Sequence, residues 1–238
     1  MVGLSAQRML QQRMDVTANN LANMSTAGFK TEALVMRELT ERPAAASDTP
    51  QDIAFVDVWM LQRDFSTGPL EQTGNPLDLA IEGEGFFVVQ TAQGEAYTRD
   101  GRFMLNNQGQ VTTHAGDVVM GAGGPISVDP MGGPISISRE GTIEQDGAQL
   151  GTFRTVAFNT PAALEKSGNN LWRATGEQPR APQNSHVAAG FVEGSNVNAV
   201  TELTEMIEVS RSYSAIANMI SKQDELRGAS IEKLSQVG

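Results

Sequence analysis

The sequence predicts an α+β chain: an N-terminal and a C-terminal α-helix forming a coiled-coil-like bundle, with an all-β domain between them. Three observations carry this. Both ends repeat apolar residues in alternating steps of three and four, whereas the middle alternates in steps of two or runs continuously apolar. Of the 24 glycines, 16 lie between Gly68 and Gly151. The charge is partitioned as well: residues 1–42 carry net +1, residues 43–198 net −10 and residues 199–238 net −2, within a total of −11.

At the N-terminus, Gly3, Gln7, Leu10, Met14, Thr17, Leu21 and Met24 follow a heptad spacing, and Ala6, Ala18 and Ala22 widen the stripe with small residues. A helix is expected over residues 3–25. Asn23, Ser25 and Thr26 are poor helix-interior residues, and Gly28 offers the left-handed conformation that ends one. Three asparagines within five positions, Asn19, Asn20 and Asn23, fit either fraying toward the cap or side-chain amides that bridge neighbouring helices.

At the other end, Asn196 or Asn198 can cap a helix whose first turns hold Glu202 and Glu205. Met206, Val209, Tyr213, Ile216 and Ile220 form one seam. Val200, Leu203, Ile207, Ser210, Ser214 and Ala217 form a second, one position away. Two adjoining seams are broader than one partner helix covers, so more than two helices are expected to meet there.

The middle reads as β structure. Leu77, Leu79 and Ile81 alternate with Asp78, Ala80 and Glu82 as in a half-buried strand, and Phe86-Phe87-Val88-Val89 has the character of a strand buried on both faces. Asp100-Gly101 between Tyr97-Thr98-Arg99 and Arg102-Phe103-Met104-Leu105 predicts a tight hairpin. Short strands are expected at Val111, Val118–Met120, Thr142–Ile143 and Phe153–Phe158. Gly124-Pro125-Ile126-Ser127-Val128 recurs nine residues later as Gly133-Pro134-Ile135-Ser136-Ile137. The Pro/Ala/Ser/Thr-rich stretch 40–56 reads as an exposed connection. The expected organisation is a terminal helical domain from 1–30 and 196–238, an extended connecting segment 31–76 and a β-rich domain 77–195.

Composition excludes several functions. The 238 residues are 39% hydrophobic, 5% aromatic and 19% charged, with a pI near 4.6. Nucleic-acid binding, built on clustered Lys and Arg, is excluded. With zero cysteines there is no thiolate chemistry and no disulfide. No apolar run approaches the ~18 residues of a membrane span, and residues 7–15 interrupt any signal-peptide pattern. Gly83-Glu84-Gly85 opens like a dinucleotide loop, but Val88 holds the third glycine position and a strand, not a helix, follows. Asp78 and Glu82 lie ~13 Å apart along a strand, too far for a glycosidase pair, and read as a solvated acidic face. His114 and His186 are expected in turns or loops with no third ligand. No catalytic residue, metal or cofactor is expected.

Three stretches resemble one family. Asn19-Asn20-Leu21-Ala22-Asn23-Met24-Ser25-Thr26-Ala27-Gly28-Phe29-Lys30 is similar to the N-terminal signature of bacterial flagellar rod and hook proteins. Leu79-Ala80-Ile81-Glu82-Gly83-Glu84-Gly85-Phe86-Phe87-Val88-Val89 with Tyr97-Thr98-Arg99-Asp100-Gly101-Arg102-Phe103 resembles the central one. Asn196-Val197-Asn198 with Met206-Ile207-Glu208-Val209-Ser210-Arg211-Ser212-Tyr213 resembles the C-terminal one. After Tyr213 the family usually shows Glu-Ala-Asn, where this chain has Ser214-Ala215-Ile216. The short middle and overall length look most like a proximal-rod member.

The resemblance implies a structural, non-enzymatic subunit of the basal-body rod, which crosses the periplasm. Such a subunit polymerises helically to enclose the export channel and to transmit torque from motor to hook. Its implied partners are other copies of itself, neighbouring proximal and distal rod proteins, and the flagellar type III export apparatus, with export lacking a cleaved signal peptide and with no membrane insertion. The expected assembly interface comprises Leu10, Met14, Asn19, Asn20, Leu21 and Asn23 near the N-terminus, and Leu203, Met206, Ile207, Arg211, Tyr213 and Ile220 near the C-terminus. The terminal helices are expected to order on assembly. Competing readings are a distal-rod member, and a secreted carbohydrate-active or adhesive β-domain protein with helical oligomerisation arms.

Overall fold

A computed structural model describes residues 2–37 and 58–235, which fall into two compact units. The stretch 40–56 lies outside the described residues. The described residues form two α-helices, one near each terminus, and a mostly β central region, an α+β arrangement.

The first unit holds α1 (Val2–Ala22), α2 (Ala199–Ser235) and a hairpin of strands Glu32–Arg37 and Val58–Arg63, which pair antiparallel from Glu32 opposite Arg63 to Arg37 opposite Val58. These two strands fall within the segment 31–76. Helix α1 stops three residues short of the expected end: Thr26 N–H donates to the Asn23 carbonyl and Thr26 Oγ1 to Asn23 Oδ1, closing a turn there. Arg13 meets Glu205 at 2.6 Å and Asn20 lies beside Glu202, so the helices run antiparallel. With 37 residues in α2 against 21 in α1, the start of α1 falls near residue 220. About 15 residues of α2, roughly 22 Å, extend past it. Asn198, not Asn196, caps α2: its Oδ1 accepts from Val200 and Thr201 N–H at 3.1 and 3.2 Å. The described residues supply one helix pair, not a multi-helix bundle.

The second unit, residues 23–31 and 64–197, is β-rich. Its largest sheet runs Glu165–Lys166, Leu171–Arg173, Gly94–Thr98, Phe86–Thr91, Val118–Gly121, Val111–Thr113, Phe103–Leu105, with Gly124–Pro125 and Thr155–Val156 pairing at its side. Strands Ile135–Ile137, Thr142–Gln145 and Ala148–Thr152 form an antiparallel meander. Leu79–Glu82 pairs with His186–Ala189, and Leu70–Gln72 with Phe191–Glu193. Phe86–Val89 is buried on both faces, as its continuous apolar character requires. Phe87 and Val89 enter one core with Leu79, Phe103 and Phe153, while Phe86 and Val88 enter a second with Tyr97, Phe158 and Trp172.

Three expectations need correcting. The Asp100-Gly101 step is not a hairpin: Gly94–Thr98 pairs with Phe86–Thr91, and Phe103–Leu105 pairs with Val111–Thr113. Gly101 is needed for close approach, because a Cβ there would overlap the Leu79 carbonyl, and Gly101 O instead accepts from Leu79 N–H at 2.9 Å. Leu79–Ile81 is buried on both faces, not half-buried, since both sides are covered. His186 stands in a strand opposite Glu82, while His114 lies in a turn. The two Gly-Pro-Ile-Ser repeats take different partners: Gly124–Pro125 pairs with Val118–Gly121, and Ile135–Ile137 with Thr142–Gln145.

Candidate functional site: an exposed helical seam and a buried polar hub

In the helical unit, the two seams of α2 part company. Val209 is buried, and Met206, Tyr213, Ile216 and Ile220 are half-buried, so this seam turns inward. Val200, Leu203 and Ile207 are 74%, 47% and 52% exposed. A row of apolar side chains on a rigid helix, left in solvent, is a surface made for contact. Met219 and Leu226 are exposed further along α2 but, at about 3.6 residues per turn, lie on a different side of the helix from this row.

Structure distributes the expected interface residues unevenly. Leu10 is buried and Met14 and Leu21 half-buried in the helical unit, whereas Asn19, Leu203, Ile207 and Arg211 face solvent. Asn20 is buried and committed within the chain: its Nδ2 donates to Glu32 O at 2.8 Å, and Glu32 N–H donates back to Asn20 Oδ1 at 3.1 Å. The amide therefore clasps a strand backbone and, through a side-chain hydrogen bond to Glu202, also bridges α1 to α2. Asn23 lies in the turn after α1. Burial pushes the Glu202 carboxyl above its ordinary range; the Asn20 amide pulls it down, and Glu205 pushes it further up.

In the β unit, a buried ionic hub brings together residues from the three sequence signatures and their margins. The Glu193 carboxylate has no exposed surface; Lys30 Nζ meets one oxygen at 2.5 Å and Arg99 Nη1 the other at 3.0 Å. Gly68 N–H donates to the same carboxylate at 2.9 Å. Lys30 also donates to Ser66 O, and Arg99 Nη2 to Gly83 O, at 2.7 and 2.8 Å. Burial lowers the Lys30 and Arg99 pKa values and the Glu193 charge opposes this, so the carboxylate is what keeps two cations inside. Gly28 sits at φ +67 with its N–H on Glu193 O, and a Cβ there would meet the Arg99 backbone at 2.5 Å. Asn196 completes the arrangement: its Oδ1 accepts from Thr31 N–H and Oγ1, and its Nδ2 donates to Asp64 O and Ser66 O.

Glu193 escaped the sequence reading. Its signal was a lone acid in the run Gly190-Phe191-Val192-Glu193-Gly194. The hub is a fastening, since its polar groups face one another. Among the described residues no group of three or more His, Asp or Glu side chains is placed to hold a metal ion, and no helix is long and apolar enough to cross a membrane.

An exposed apolar seam in one unit and, in the other, a β core fastened by its own buried charges are the features of a structural protein whose chemistry is contact. Comparison with known proteins identifies the kind. The family described as flagella basal body rod protein matches residues 1–30, the flagellar hook protein FlgE/F/G D1 domain matches 80–145, and the flagellar basal body rod FlgEFG protein C-terminal matches 188–233. The chain is 38% identical to the flagellar basal-body rod protein FlgF of Caulobacter vibrioides, covering 99% of this chain and 97% of that protein. It is 31% identical to FlgG of Bacillus subtilis (94% of each chain) and 32% identical to FlgF of Salmonella typhimurium (98% and 96%). The chain belongs to the flagellar basal-body rod protein family and is a structural component of the flagellar rod.

Proposed function

We propose that this subunit occupies the proximal rod and polymerises helically, burying the exposed seam of α2 against helices of neighbouring subunits. The observation that carries the reading is that one apolar face of α2 is covered within the chain while the adjoining Val200–Leu203–Ile207 face is open. Head-to-tail contacts that do not close into a ring generate a helical tube, and the tube's helical wall then forms the coiled-coil-like bundle. The neighbours are copies of this chain and the proximal and distal rod proteins. Leu10, Met14, Asn19, Asn20, Leu21, Asn23, Leu203, Met206, Ile207, Arg211, Tyr213 and Ile220 make or support these contacts. The subunit reaches the rod through the flagellar type III export apparatus, and the finished rod crosses the periplasm, encloses the export channel and transmits torque. The role is mechanical rather than enzymatic, and the terminal helices gain their full order as neighbours arrive.

Ile207→Asp tests this. It places a charge in the buried contact while lying on a surface that is open in the single chain. The expected result is a subunit with an unchanged β-unit melting transition that is missing from purified basal bodies. Normal incorporation of the variant refutes the assignment.

A further inference from the structure

The β unit carries a knob and a hole that suit each other. Met131 is 93% exposed, the most exposed large apolar side chain among the described residues, yet its loop is tightly held. Gln145, itself buried, accepts from Asp129 N–H at 3.0 Å and donates to Asp129 O and Gly133 O at 2.9 Å each. Gly133 N–H donates to Asp146 Oδ2, and Met131 N–H to Asp129 Oδ1, both at 2.9 Å. Cβ atoms at Gly132 and Gly133 would collide with Gln145 and Asp146, so the glycines let the clasp close. A displayed methionine on a pre-ordered loop binds without paying to order that loop.

The hole is a cavity of about 220 Å³ walled by Phe65, Phe86, Phe158 and Pro161, with Arg99, Thr67 and Glu84 among its other lining residues, the Glu84 carboxylate being paired with Arg180 at 2.8 Å. Apolar cavities of ~150 Å³ accept benzene, and a methionine side chain is no larger. Aromatic rings are also the favoured surroundings of a thioether sulfur. Charge matches too. The knob is collared by the exposed carboxylates of Asp129 and Asp146, whereas the hub behind the hole, Lys30 and Arg99 against Glu193, carries net +1.

We propose that Met131 of one copy inserts into the phenylalanine-lined cavity of a second copy, giving the β units a directional contact of their own. This rests on the helical-assembly reading: knob and hole are different surfaces, so their contact is head-to-tail, and in a helical assembly it propagates rather than closing into a ring.

The absence of cysteine makes the test clean. Full-length Met131→Cys is mixed with full-length Thr67→Cys at high concentration and oxidised, with Met131→Cys plus Gln90→Cys as the control pair on an exposed strand position. The proposal expects a disulfide heterodimer in at least ~10-fold excess over the control, the excess that burying one apolar side chain supplies. Yield equal to the control overturns it. Sedimentation of the same samples separates the two readings: association without the specific cross-link defeats this contact alone, and no association of the copies defeats both. A second variant, Met131→Asp, is expected to weaken association of the copies ~10-fold at unchanged melting temperature; full association would overturn the contact.

Discussion

Replacing Glu193 by Gln tests whether the buried hub holds the β unit together. In the wild type one carboxylate faces two cations, Lys30 at 2.5 Å and Arg99 at 3.0 Å, in a site from which solvent is excluded. Gln keeps the shape and an oxygen for Gly68 N–H, but removes the one carboxylate that touches both cations, leaving only the weaker fields of Asp64 on Lys30 and Glu84 on Arg99. Removing one partner of a buried ion pair costs about 3–5 kcal/mol, and the double burden here sets the upper end. For a unit of roughly 140 residues, at ~3 °C per kcal/mol, the melting transition should fall by about 10–15 °C. Lys30→Met should cost clearly less, because it leaves the Glu193–Arg99 pair balanced. Calorimetry of the full chain, following the β-unit transition, gives both numbers. A Glu193→Gln shift within about 2 °C of wild type, or a larger loss for Lys30→Met, refutes the charge argument.

Two further outcomes are expected. Phe87→Ala empties a fully buried site that packs edge-on against Phe103 and Phe153 at 5.2 and 6.3 Å, and should destabilise the β unit by ~3–5 kcal/mol in denaturant titration. Glu202, whose pKa is raised in the folded chain, binds protons more tightly folded than unfolded. Its favourable contribution is therefore fully present below the unfolded pKa and is lost as pH rises through the folded one. Relative to wild type, Glu202→Gln should gain stability as pH rises through that window, and a difference independent of pH across it counts against the burial argument.

Much of the helical unit was legible because periodicity is a local property. Leu10, Thr17, Met206 and Val209 lie on the covered side of their helices as their spacing required, and the second seam at Leu203 and Ile207 was visible as a surplus of apolar surface. The Phe86–Val89 strand was legible for the same reason. What failed was local chemistry with a distant purpose. Gly101 looked like a turn residue, but its small size serves the Leu79 carbonyl. Asn196 and Asn198 are equivalent caps on paper, and only Asn198 caps, since Asn196 is consumed by Thr31, Asp64 and Ser66. Glu193 could not be read at all: its partners stand 163 and 94 residues away along the chain.

The most direct test of the account is solvent access to the open seam before and after assembly. Leu203→Cys and Ile207→Cys, introduced singly into a chain with no other thiol, are labelled with a maleimide in the free subunit and in purified rods. Rapid labelling of the free chain and strong protection in the rod are expected. Equal rates in the two states, with the variants demonstrably present in the rods, would show that the seam of α2 is not where the subunits meet.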